Sequence, residues 1–553
     1  MGHPVPLRRL MVRTLPVLLS IHAAASCAPV TSQRRVTVPQ QVAFRPYEVV
    51  TDSAERQTVL TGFLLGGRVA ELAVVSVGED DRRRLRIYEF ADSTWIPGLD
   101  VTLRPGVRFV DIANIGGRDR LVTHEPGRLN WFDPEAGTEK ALVPVTSGFG
   151  PPREREIPHV DITHDVNGDG RDDLAVPDSA GSWVFIQTGG GAFADPVRIG
   201  PPTDMSRILG ADGYRYDPWS RSRVHTIDYD GDGRSDLAFW DEDHFKVHLQ
   251  DTLGLFGPMA ETFTTEVDFD SDKVSSLAGG DMTGRVLHSL SDVNGDGVGD
   301  LAVLALEGAT ISGKTSRYEV HPGARTPDGR TEFAPEAGIV FESPGRIQLG
   351  VDRHDLDRDG HAELMFTTIE TGSLRGGLLK RLKGAMGDDI WLYLEFHRMQ
   401  GGLFGGAPDA IRGIQLDGAP SHTEPGWVPL DIVLRGGLHE LRRTQNGYRR
   451  AFNRTLLIGD VTGDGRSDLL IETTPWALDL FPGVQGPQLF ARDPETVRVE
   501  VPNDEEYTWL ADLNRDGRQD IVMHHPFSVR DPHGGRMLAP GTEPHRVTLL
   551  IAR

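Results

Sequence analysis

Six stretches of this 553-residue chain place oxygen-bearing side chains at the same alternating positions, beginning at Asp165, Asp228, Asp292, Asp355, Asp460 and Asp512. Counted from that aspartate, positions 1, 3, 5 and 9 of the first stretch hold Asp165, Asn167, Asp169 and Asp173. The second holds Asp228, Asp230, Asp232 and Asp236, and the third Asp292, Asn294, Asp296 and Asp300. The fourth holds Asp355, Asp357, Asp359 and Glu363, the fifth Asp460, Thr462, Asp464 and Asp468, and the sixth Asp512, Asn514, Asp516 and Asp520. Glycine stands at position 6 in every copy. Calcium is a hard cation that takes six to eight oxygens at roughly 2.3–2.6 Å, and this donor set suits it. Position 7 (Arg171, Arg234, Val298, His361, Arg466 and Arg518) is expected to offer its backbone carbonyl and leave its side chain free. Glycine at 6 allows the positive φ of so tight a turn. Without a cation the carboxylates would repel one another. One copy alone would pass for an ordinary Asp-Gly turn. Six copies with one spacing point to as many as six calcium sites, the fifth weakened by Thr462.

The elements on either side must be strands. A helix–loop–helix calcium site needs a bidentate glutamate at position 12. Here position 12 is Val176, Phe239, Val303, Phe366, Ile471 and Met523, all apolar. Each loop runs instead into a short apolar stretch such as Leu174-Ala-Val176, which reads as a strand. The loops start 63, 64, 63, 105 and 52 residues apart. A period of about 50–65 residues holds roughly four strands and their turns, which is one blade of a β-propeller. In one unit the strands read as His159–Thr163, Leu174–Val176, Ser182–Gln187 and Val197–Ile199, with a Gly-x-Phe turn at Gly191-Ala-Phe193 before the last. Two worn copies, Asp111–Leu121 and Leu65–Leu72, precede the six and lack the donors for calcium. The last unit lacks a fourth strand, and Gln41–Val49 is placed to supply it and close the ring. The expected fold is therefore an all-β propeller of eight blades, seven being the alternative, with the acidic loops between first and second strands.

The repeated Asp-x-Asp/Asn-x-Asp-Gly-x-x-Asp-Leu pattern resembles the FG-GAP/VCBS repeat family, related in fold to the integrin α-subunit propeller. The resemblance covers about residues 40–553. It implies calcium loops on one face of the disc and a role in adhesion or ligand binding. The departures are the two worn loops and a long insertion around residues 370–452, which includes the basic stretch Leu378–Lys383. That unit reads as a decorated blade or as a blade plus a ninth, degenerate one.

The N-terminus reads as an export segment. Arg8, Arg9 and Arg13 precede the short apolar run Leu15–Ile21 and then Ala24-Ala-Ser-Cys27. Residues 1–27 resemble a bacterial lipoprotein signal in which Cys27, the chain's only cysteine, becomes the lipidated first residue. Residues 28–40 would be a linker. The expectation is a cell-envelope lipoprotein, periplasmic or on the outer-membrane surface, that meets the membrane only through its lipid; secretion is the alternative.

The formal charge is −23, and 20 carboxylates occupy the loop positions above. Much of the acidity is therefore metal ligand, and nucleic acid, which needs a basic face, is excluded as a partner. Gly308–Thr315 spells a phosphate-binding loop, but Tyr318-Glu-Val320 after it reads as a strand where that loop needs a helix. His524 and His525, with His533 nearby, follow the last loop and read as structural rather than as a transition-metal site. No catalytic residues stand out, and no zinc-protease or serine-hydrolase motif is present. The reading is a calcium-binding propeller outside the cytoplasm that binds a protein or glycan; the alternative is an envelope polysaccharide lyase or hydrolase.

Overall fold

The computed structural model describes residues 42–553, apart from 52–56, 79, 151–155, 203–214, 220–222, 270–283, 308–314, 371–389, 401–402, 417–454, 475, 503–506 and 527–544. The export segment with Cys27, the phosphate-loop look-alike up to Lys314, the stretch Leu378–Lys383 and His533 lie outside these residues.

The described chain is an eight-bladed β-propeller, each blade built on four antiparallel strands. Blade 1 comprises Gln57–Gly62, Glu71–Val77, Arg83–Ala91 and Thr94–Thr102. Blade 2 comprises Phe109–Asn114, Asp119–Glu125, Gly127–Asp133 and Thr138–Val145. Blade 3 is Thr163–His164, Asp173–Asp178, Gly181–Phe185 and Val197–Ile199, and blade 4 is His225–Ile227, Asp236–Asp241, His244–His248 and Glu261–Phe263. Blade 5 is Gly284–Ser291, Asp300–Glu307, Thr315–His321 and Ile339–Glu342, and blade 6 is Arg346–His354, Glu363–Glu370, Ile390–His397 and Ala410–Leu416. Blade 7 is Leu456–Gly459, Asp468–Thr474, Ala477–Phe481 and Glu495–Arg498. Blade 8 takes Thr508–Ala511, Asp520–His525 and Arg546–Ala552 from the C-terminus and Phe44–Val50 from the N-terminal end. That last pairing runs in register from Phe44 opposite Ala552 to Val50 opposite Arg546. It closes the ring as expected, so blade 8 needs no further strand.

The second strand of each blade explains the near-continuous apolar runs. In Glu71–Val77 every residue is buried. Successive side chains on a strand point to opposite faces, and here each face meets a different neighbouring blade. Leu72 and Val74 pack with Val522 and Leu549 of blade 8, whereas Ala73 and Val75 pack with Val110 and Leu121 of blade 2. Leu470 joins Ile521 and Met523 of blade 8, and its neighbours Leu469 and Ile471 join Phe396 of blade 6. Eight apolar clusters result, one at each seam between consecutive blades.

Two details differ from the expectation. The stretch His159–Thr163 is not one strand: His159 pairs in parallel with Val110 of blade 2, and only Thr163–His164 joins blade 3. Asp111 causes the break. Its Oδ2 accepts the Ile162 N–H and the Thr163 hydroxyl at 2.9 and 2.7 Å, while Oδ1 lies 2.9 Å from His159 Nε2. The unit that follows Asp355 forms one blade, decorated by a hairpin of Met399–Gln400 with Leu403–Phe404; no ninth blade occurs among the described residues.

Candidate metal centres

All six acidic loops lie between the first and second strands of blades 3 to 8. Each is wound around its own first aspartate. In blade 3, Asp165 Oδ1 accepts the N–H groups of Gly168 and Asp169 at 2.8 and 2.9 Å, and Oδ2 accepts that of Gly170 at 2.9 Å. Asp228, Asp292, Asp460 and Asp512 repeat the pattern with at least two backbone N–H groups each, and Asp355 keeps the one from Gly360. At position 5 the carboxylate accepts the N–H of position 7, as in Asp169 from Arg171 at 2.9 Å. This winding demands a left-handed backbone at position 6, where φ runs from 79° at Gly170 to 92° at Gly465.

Sequence reading missed a second such demand. Position 4 is also left-handed, with φ of 77° at Gly168 and 74° at Gly463. In two loops an arginine takes that conformation: Arg358 (φ 57°) and Arg515 (φ 56°). A β-carbon there costs about 1–2 kcal/mol. The signal was visible as Gly at position 4 in four of the six copies.

The residue at position 9 is fully buried, and it clamps the blade as well as facing the loop. Asp173 accepts Val166 N–H on one oxygen at 3.0 Å and Gln187 N–H on the other at 2.7 Å, tying the loop to the end of the third strand. Asp236, Asp300, Asp468 and Asp520 do the same with Gln250, Gly323, Gly483 and Ala552. Burial pushes the carboxyls of Asp173, Asp236, Asp468 and Asp520 up to about 6 and that of Asp300 in the same direction, against the pull of those backbone donors. Glu363 is pushed further, to about 7, by burial and then by Asp357 and Asp359. Its longer side chain keeps one clamp bond, Leu356 N–H at 2.7 Å.

The position-7 side chains expected to be free are partly engaged. Arg171, Arg234 and Arg466 each donate to the position-5 carboxylate of their own loop, and each Nε reaches a backbone carbonyl at the end of the third strand. A planar guanidinium beside a carboxylate makes such a two-ended staple. Arg518 lies against Gly463 in the preceding loop. No side-chain bond is seen for Val298 or His361 among the described residues.

The carboxylate oxygens converge most closely in two loops. Ligand atoms of Asp228, Asp230 and Asp236 lie within 4.8 Å of one another, as do those of Asp355, Asp357 and Asp359. These are the loops with four acids, and an arginine from outside the loop serves each. Arg325 Nη2 sits 2.8 Å from Asp228 Oδ2. Arg398 Nη2 contacts Asp357 and lies 3.6 Å from Asp359, with Nε 3.9 Å from Glu363. In the loops with asparagine at position 3, the amide itself hydrogen-bonds a neighbour: Asn167, Asn294 and Asn514 each donate Nδ2 to the position-5 aspartate at 3.0–3.2 Å. In the fifth loop Thr462 spends its N–H on Asp468 at 2.8 Å, and its hydroxyl lies 3.4 Å from the same side chain. The residues fit a hard divalent cation. The donors are all oxygen, and in the fourth loop the buried Asp357 Oδ1 and Glu363 Oε1 have no hydrogen-bond partner. Buried carboxyl oxygens without a hydrogen bond are costly unless a cation or water meets them, and Arg398 Nε reaches only that of Glu363, at 3.9 Å.

The worn loops have lost this chemistry. Asp111 is spent on the junction to blade 3, and in blade 1 Glu71 merely closes its own turn by accepting Leu65 N–H at 3.1 Å. The paired histidines are not a metal site either. His524 and His525 are adjacent on one strand, both buried, and so face opposite seams. Burial holds His524 well below the usual histidine range and His525 at about 3, so both are neutral. After the phosphate-loop look-alike, Thr315–His321 is a strand, and the helix that phosphate binding requires does not follow.

No protein-family model and no curated protein matches the chain. Among solved structures, it is similar to an Agrocybe aegerita lectin described for specific recognition of non-reducing terminal N-acetylglucosamine. That likeness has a TM-score of 0.36 and 15% identity, over 80% of this chain and 94% of that one. It is similar to the V. cholerae biofilm matrix protein Bap1 at a TM-score of 0.32 and 11% identity, over 93% of this chain and 88% of that one. It is also similar to the WD40 domain of SCAP from fission yeast, at a TM-score of 0.30 and 11% identity over 92% and 94%. Likeness of this size says nothing of what the chain binds.

Proposed function

We propose that the chain is a calcium-stabilised propeller that works outside the cytoplasm as a binding or adhesion module, tethered to the cell envelope through Cys27. The observation that carries the calcium reading is the fourth loop. There Asp355, Asp357 and Asp359 converge, and two buried carboxyl oxygens, Asp357 Oδ1 and Glu363 Oε1, have no hydrogen-bond partner. Calcium, when bound, supplies a multiply bonded positive centre that holds the carboxylates of one loop together. The protein's own residues do the rest: the first aspartate winds the loop, positions 3 and 5 present oxygens, and position 9 ties the loop to the third strand. The role is rigidity, and it supports binding because the ends of eight short blades are otherwise joined only by turns. Extracellular calcium modules of this kind work at dissociation constants of roughly 10⁻⁴–10⁻³ M, which suits an exported chain and would leave the sites empty in cytosol.

The test is thermal unfolding of the chain from residue 28 onward in excess chelator and in millimolar calcium. With calcium at about 100 times its dissociation constant, each independent site stabilises the fold by about 2.7 kcal/mol. A melting temperature well above the chelator value is expected. Identical melting in both would refute the reading.

A further inference from the structure

The two loops that lost their acids form something else. Between the worn loops of blades 1 and 2 and the sixth acidic loop lies a cleft of about 620 Å³, within the size range of small-ligand sites. Three arginines line it: Arg118 from the worn loop of blade 2, Arg120 from the strand that follows it, and Arg515 from the loop of blade 8. Two of them stand over aromatic rings, Arg120 Cζ at 3.8 Å from the Trp131 centroid and Arg515 Cζ at 3.7 Å from that of Phe63. The cation–π contact holds each guanidinium over its ring, and Arg120 Nε also donates to the Ile115 carbonyl at 3.4 Å. None of the three has an ion-pair partner among the described residues. Three carboxylates also line the cleft; two of them are engaged, and Glu135 is exposed. Asp119 accepts Phe63 N–H and the Asn114 amide at 3.0 and 2.9 Å, and Asp133 is held by Lys140 and by backbone N–H groups. In a chain of net charge −23, whose other inter-strand loops are carboxylate-rich, a cleft with three unpaired arginines is out of keeping with a merely solvated surface.

The geometry points to this cleft as the binding site for an acidic saccharide, with a uronate carboxylate on the arginine edges and the sugar ring against the neighbouring apolar surface. Arginine forks match a carboxylate with two parallel bonds. Exposed Leu65 and half-exposed Leu64, beside the arginine-covered Phe63 ring, offer apolar surface to the C–H face of a ring. The inference rests on the reading of the chain as a binding module and names the ligand class.

The test is isothermal titration of the mature chain at fixed free calcium with three probes: trigalacturonic acid, maltotriose of equal length, and inorganic phosphate. Trigalacturonic acid is expected to bind at least ten-fold more tightly than the other two. Arg118→Gln and Arg515→Gln, both at exposed positions, are each expected to weaken it five- to ten-fold while melting in calcium as the parent does. Equal binding of maltotriose, equal binding of phosphate, unchanged affinity of both variants, or no binding by any probe overturns the assignment. A chain that gains stability from calcium yet ignores trigalacturonic acid overturns this inference alone. A chain whose melting ignores calcium overturns the calcium reading, whatever it binds.

Discussion

Replacing Arg398 by methionine separates the two cations that the fourth loop can use. Arg398 is 15% exposed and Asp357 is 7% exposed, and the same guanidinium serves Asp359 at 3.6 Å and Glu363 at 3.9 Å. At an effective dielectric near 20, a unit pair about 4 Å apart is worth about 4 kcal/mol. Removing one partner of such a buried pair costs about 3–5 kcal/mol, because the other charge is left alone. Asp359 is 39% exposed and partly solvated, so a loss of about 3 kcal/mol is expected for Arg398→Met in chelator. Methionine keeps the buried stem, so the loss is electrostatic. In saturating calcium the orphaned carboxylates have another cation, and the loss should shrink to about 1 kcal/mol, that of a weakened surface pair. The difference of about 2 kcal/mol appears, by linkage, as roughly 30-fold tighter calcium at that loop in the variant. Urea unfolding in chelator and in calcium reads the first quantity, and calcium titration reads the second. An equal loss in both conditions, or a loss under about 0.5 kcal/mol in chelator, would show that the arginine is not the resident counter-ion of the loop.

The stabilisation by calcium should itself depend on pH. The carboxyls of Asp173, Asp236, Asp468 and Asp520 titrate near 6 and Glu363 near 7 in the metal-free fold, so the stability they give is complete below about pH 4 and lost as pH rises through 6 to 7. Calcium favours their ionised forms. The gap between melting temperatures in calcium and in chelator is therefore expected to widen from pH 4.5 to 7.5, and a constant gap would contradict the assignment. A buried histidine such as His124, held near 4, shifts both curves alike and cancels in the difference. Gly465→Ala, at φ 92°, should cost about 1–2 kcal/mol in calorimetry through backbone strain, with the Arg358 guanidinium end, 3.3 Å from the added carbon, having to shift. Val49→Asp places an unpaired charge at a position 3% exposed in the seam between blades 8 and 1. It should cost several kcal/mol and expose the edge of Arg546–Ala552, seen as self-association in light scattering.

Much of this was written in short-range pattern. An aspartate at position 1 can satisfy its own loop only if the next residues turn back, so spacing and glycine reveal the turn without any tertiary contact. The number of units follows in the same way, and so does ring closure, because an N-terminal strand with no unit of its own must pair somewhere. Position 4 escaped attention because arginine at 358 and 515 hides a left-handed requirement that only the backbone angle discloses. His159–Thr163 was read as one strand because its alternation is sound, yet Asp111, some fifty residues earlier, divides it.

What only the folded chain decides is which groups separated in sequence come to share a site. Arg398 belongs to no loop pattern, and the lone oxygens of Asp357 and Glu363 are orphans only because that blade buries them. The cleft draws on residues near 63, 118 and 515, which become neighbours when blade 8 closes against blade 1. Local spacing encodes turns because their energetics are local; charge pairing across blades depends on distances that exist only after the ring has closed.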